Sequence, residues 1–112
     1  MQLLILVLNK VQCLEAILEN FITEGIKGAT VIDSTGMAKI LSDGTHDLPM
    51  FGTLKMFIDE KYPYNKTVFL VIENEELEKV LACIKKETGD LDKPGVGIVF
   101  TVPVNYIEGI KL

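Results

Sequence analysis

One pattern occurs twice along this chain, and it leaves few folds open. LLILVLNKVQCLEAIL (3–18) is an apolar run, then Asn9, then apolar residues at helical spacing. TVFLVIENEELEKVLACI (67–84) repeats the scheme around Asn74. Val11, Leu14, Leu18, Phe21 and Ile22 give the first helix its apolar stripe; Leu77, Val80, Leu81 and Ile84 give the second. Each Asn reads as an N-cap, and Gly25 and Gly89 read as helix stops. Glu75 and Glu76 suit the positive end of the second helix dipole. A further strand follows each helix, at 29–34 and 98–104.

Two β-α-β units of this kind close into an α+β fold, the ferredoxin-like βαββαβ arrangement. The expectation is a single domain over 1–112. It holds a four-stranded antiparallel sheet with two helices on one face, and a long loop at about 36–66 between the halves. The strands carry a second message. Ile5 and Val7 alternate with Leu4, Leu6 and Leu8, so β-spacing puts apolar residues on both faces. The chain is 48% hydrophobic over 112 residues, with a mean hydropathy of +0.32. With helices on one side only, the second face expects cover from other subunits.

The net charge is −5, and all 11 basic residues are lysines. That balance is poorly suited to neutralising nucleic-acid phosphates or an anionic membrane. It also removes the guanidinium group that bidentate phosphate recognition uses. The opening MQLLILVLNK has an apolar run too short for a membrane span and no basic flank. It reads as a first strand in a cytoplasmic protein, where Cys13 and Cys83 are expected as free, buried thiols.

The stretch 36–66 is too long for a hairpin turn. SDGTHDLP (42–49) is turn chemistry, and TLKMFIDEK (53–61) suits a short helix. Met50, Phe51, Met56 and Phe57 are large and apolar, fit either for packing or for a partner-binding surface. His46 lies between Asp43 and Asp47, too few ligands for an ordinary metal site. The lack of a nucleophile–base or paired-acid arrangement points away from an enzyme. Near the C-terminal strand, Gly95-Val96-Gly97 suits either a phosphate cradle or a turn.

Several of these stretches resemble the PII nitrogen-regulatory signal proteins and their PII-like relatives. GIKGATVIDSTGM (25–37) is similar to the segment that ends that family's first β-α-β unit, with Thr30, Val31 and Gly36 on matching positions. The stretch from Met37 to 66 stands where the family has its T-loop. ETGDLDKPGVGIVFTVPV (87–104) resembles the Thr-Gly, Gly-Asp-Gly-Lys, Phe-x-x-x-Val pattern through Thr88, Gly89, Gly95, Gly97, Phe100 and Val104. The resemblance covers nearly the whole chain, and its specificity lies in the order and spacing of short motifs.

The resemblance implies a non-enzymatic homotrimer that binds ATP or ADP, often with 2-oxoglutarate, in clefts between subunits. It would act on a target protein through the loop. By resemblance the ligand positions are Thr30, Gly36, Met37, Gly95, Val96 and Gly97, and the partner positions are Met50, Phe51, Met56 and Phe57. Two positions depart from the pattern: Val96 replaces the family's Asp, and Ile98 its phosphate-contacting Lys. Each lost charged hydrogen bond is worth roughly 1.5–3 kcal/mol, so ATP is expected to bind poorly. The alternatives on the same architecture are a CutA-like trimer handling divalent metal and a small-molecule enzyme.

Overall fold

Gln2–Leu8 forms the first strand, β1, and its alternation sets the whole architecture. The computed structural model describes residues 1–43 and 64–109. After β1 come a 3₁₀ turn at Val11–Cys13, helix α1 (Leu14–Thr23), strand β2 (Thr30–Ser34) and helix α2 (Met37–Asp43). Strand β3 (Asn65–Ile72) leads through a second 3₁₀ turn, Asn74–Glu76, into helix α3 (Leu77–Thr88) and strand β4 (Gly97–Pro103). The four strands lie in the order β2-β3-β1-β4, every neighbour antiparallel. This is the ferredoxin-like α+β arrangement expected from the repeated pattern.

Leu4, Leu6 and Leu8 are fully buried on one face of β1. Leu4 pairs with Leu70 and Leu6 with Val68 on β3. Ile17 and Phe21 of α1 and Val80, Cys83 and Ile84 of α3 complete this core. Burial of each such side chain contributes about 1.5–3 kcal/mol. On the opposite face Leu3, Ile5, Val7, Phe69 and Val71 are only half-buried. Ile32, Ile98, Phe100 and Val102 on that face are 46%, 57%, 43% and 40% exposed. The expectation of strands apolar on both faces therefore holds, with the helices covering one.

Four local readings change. The stripe of α1 runs through Ile17, whereas Ile22 is 73% exposed. Ile17 and Phe21 are buried and Leu14 and Leu18 partly so, which puts the apolar stripe on the 14, 17, 18, 21 positions. Asn9 is not a side-chain cap: the 3₁₀ turn begins after Lys10, without a side-chain cap bond. The backbone N–H groups of Asn9 and Lys10 both donate to Val96 O, at 3.0 Å. Asn74 lies inside its turn, because Glu73 is extended and forms a capping box with Glu76, whose Oε1 accepts from Glu73 N–H at 2.9 Å. Finally, part of the expected 36–66 loop is regular: Met37–Asp43 is helical, and β3 already starts at Asn65.

Gly25 and Gly89 do end their helices, with φ of +84° and +72°. Gly89 N–H closes the last turn on Lys85 O at 2.9 Å. Cys83 is buried and Cys13 half-buried, both as free thiols. Among the described residues, no helix is long and apolar enough to cross a membrane.

Candidate functional site

The residues expected to carry function fall in three places, fixed by strand order. The first is the loop before β4. Val96 is 8% exposed, so its side chain is part of the interior. Its carbonyl takes both N–H groups from the β1–α1 junction. Gly95 has φ of +78°. Gly97 has φ of +153°, and a Cβ there would meet Val7 O at 2.5 Å, so only glycine lets β4 approach β1 this closely. Lys10 ties the junction further, donating from Nζ to Thr88 O at 3.5 Å, and Cys13 Sγ donates to Glu87 O at 3.3 Å. These contacts make Gly95–Gly97 a clasp between the last strand and the start of α1. Ile98 lies beside Val7 on the open face of the sheet.

The second place surrounds Thr30. β2 pairs with β3 only from Thr30–Phe69 to Ser34–Asn65, so Leu70, Val71 and Ile72 run past the end of β2. A groove of about 440 Å³ opens along that edge. Ile26, Phe69, Val71 and Ile72 give it apolar walls, and Thr30 brings a hydroxyl. Lys27 and Glu76 also line it, so both signs of charge are within reach of an occupant. Apolar walls with a few polar groups are the ordinary make-up of a small-molecule groove.

The third place is the corner where β2 gives way to α2. Gly36 O accepts from Ile40 N–H at 3.1 Å, and Met37 and Ile40 are 68% and 60% exposed. Ser34, Asn65 and Thr67 join here in a hydrogen-bonded group. Lys66 pairs with Asp33, and the Lys39 ammonium stands 5.3 Å from the centre of the Tyr64 ring. Gly36 and Met37 were expected here from the resemblance, whereas Ser34, Asn65, Thr67, Asp33, Lys66 and Lys39 were not. The available signal was Ser34, Asn65 and Thr67 standing as polar residues at alternate positions where the rest of the face is apolar.

The three places do not converge within one chain. Gly36–Met37 and Gly95–Gly97 lie at the same end of the sheet, on opposite edge strands, about 14 Å apart at ~4.8 Å per strand. Thr30 is at the far end of β2, roughly 13 Å from Ser34 at ~3.3 Å per residue. Met50, Phe51, Met56, Phe57 and His46 lie outside the described residues. Among the described residues, no three His, Cys, Asp or Glu side chains group as a metal ion would require.

Between α1 and α3, Asn20 Nδ2 donates to Cys83 O at 3.1 Å and to Glu87 Oε2 at 2.7 Å. Burial, then the Glu24 carboxylate, pushes the Cys83 thiol above its ordinary value. A protonated, covered thiol is a poor nucleophile, so this pair of helices reads as packing rather than chemistry.

A scan of protein-family models finds none that matches this chain, and a search among curated proteins finds no match.

Proposed function

We propose that this chain is a PII-like regulatory protein that works by binding rather than catalysis, in the cytoplasm. Copies associate through the open apolar face into a trimer. A small ligand binds between copies, and the 36–66 segment acts on a target protein. The observation that carries the reading is the separation of the three places across the sheet of one chain. A site drawing on Gly36–Met37 and on Gly95–Gly97 together needs the β2 edge of one copy beside the β4 edge of another. The apolar second face supports such an association, and the resemblance in 25–37 and 87–104 supports the family.

The ligand differs from the family's ATP in its demand for charge. Val96 is interior and Ile98 belongs to the association face, so neither position offers a cation. The apolar walls and the hydroxyl at Thr30 support a weakly charged occupant, while the clasp at Gly95–Gly97 offers backbone groups already committed to β1. Isothermal titration calorimetry on the intact chain tests this. Little heat is expected with magnesium-ATP at micromolar concentrations, and binding of an uncharged nucleoside or a comparable heterocycle is expected to be weakened roughly threefold to tenfold by Thr30→Val. Micromolar ATP binding would restore the ordinary family role. Binding of divalent cations alone would favour the metal-handling alternative.

A further inference from the structure

The open face has one polar corner, and it lies where the sheet hands over to α2. Ser34 and Asn65 are the last register pair of β2 and β3. Thr67, two residues further along β3, is on the same face and only 7% exposed. Ser34 Oγ donates to Asn65 Oδ1 and lies 2.7 Å from Thr67 Oγ1. A hydroxyl carries one proton. Ser34 spends its proton on Asn65, so Thr67 donates to Ser34, and the bonds run in one direction from Thr67 through Ser34 to Asn65. The amide NH₂ of Asn65 is left at the far end. Its Nδ2 lies 3.5 Å from the position a Cβ on Gly36 would occupy. The polar chain thus reaches from the interior of β3, across to β2, and up to the residue before α2.

Backbone pairing between β2 and β3 stops at Ser34–Asn65. Beyond it these side chains are a direct tie between the two strands from which the 36–66 segment leaves and returns. A buried hydroxyl in an apolar face is tolerated only when it is bonded. Here each hydroxyl is.

We propose that Ser34, Asn65 and Thr67 form a latch that joins the ends of β2 and β3 and so fixes the start of α2, which carries the exposed Met37 and Ile40. That Met37 and Ile40 meet a target rests on the functional reading above; the latch does not. Two further ties stand at the stem, the Lys66–Asp33 pair and the Lys39–Tyr64 contact. Both use charge, and Asp33 is largely exposed, so salt screens that pair. The latch is neutral and does not respond to salt or to pH near neutrality.

Residue-resolved hydrogen exchange on the full chain tests the latch. Ser34→Ala removes both bonds and is expected to speed exchange of the 37–43 and 64–66 amides about tenfold. Exchange at Leu4 and Leu6 stays unchanged, and Ser34→Thr, which keeps the hydroxyl, restores protection. If Ser34→Ala does not fold, Thr67→Val removes one bond while keeping the shape, and the same amides are read. The proposal is overturned if α2 exchange is unaltered, or if exchange rises equally throughout the core. It is also overturned if α2 protection follows added salt or Lys66→Met while Ser34→Ala is silent. Mass by light scattering is read on the same samples. A native chain of one chain mass, with Ser34→Ala still losing α2 protection, counts against the functional reading and leaves the latch standing.

Discussion

The two faces of the sheet are made from the same strands and meet different fates. Leu4, Leu6 and Leu8 of β1 are sealed under α1 and α3. Their neighbours Leu3, Ile5 and Val7 remain half-buried, among partly exposed Phe100 and Ile98. A sheet with helices on one side usually alternates apolar and polar residues, because water can solvate the bare side. Here the bare side is nearly as apolar as the covered one. The covered face explains how one chain folds. Among the described residues none covers the open face, and an apolar patch of this character is the kind that marks an interaction surface.

The sharpest contrast is between adjacent residues. Leu6→Ala, on the covered face, is expected to lower stability by about 2–5 kcal/mol at any protein concentration. Ile5→Ala is expected to have a smaller effect that grows with concentration, because association adds to stability only when copies meet. Urea unfolding at two concentrations tells them apart. Equal, concentration-independent losses would erase the distinction between the faces.

Next in size is the seam joining β4 to β1. Gly97→Ala forces a Cβ toward Val7 O in a backbone conformation that L residues avoid, with an expected loss of about 1–3 kcal/mol. Thermal unfolding measures it. A change of only a few tenths would mean that β4 shifts freely, and the clasp would then not define the edge of the open face.

The smallest expected effect lies under the covered face. The folded chain holds the Cys83 proton more tightly than the unfolded chain does. Its contribution to stability is therefore complete below the ordinary thiol value of 9.0 and fades as pH rises through the raised folded value. Unfolding free energy should fall as pH rises past 9.0, with a shallower slope in Cys83→Ala. An unchanged slope would place the titration elsewhere.

The fold was legible because apolar periodicity is a direct consequence of burial. Two β-α-β patterns, the glycine stops and the two-faced strands all survive into the structure. The details that changed are those in which neighbours compete. Val96 O claims the N–H groups of Asn9 and Lys10, and Glu73 takes the capping position ahead of Asn74. Turn residues from Ser42 onward hid a short helix at Met37–Asp43. The candidate site was legible only in pieces. Thr30 starts a strand, Met37 starts a helix and Gly95 and Gly97 have positive φ, but their separation depends on strand order, which no local motif contains. The polar corner was missed because Ser34, Asn65 and Thr67 gain meaning only once register sets them side by side.

The central claim is that the open face joins copies of this chain, and its most direct test is mass in solution. Light scattering at micromolar concentration should give about three chain masses for the native protein. Phe100→Asp, which puts a charge on that face opposite Ile5, should give one chain mass with an unchanged circular dichroism spectrum. A native protein that is monomeric at that concentration, or a Phe100→Asp variant that keeps the full mass, would contradict the account.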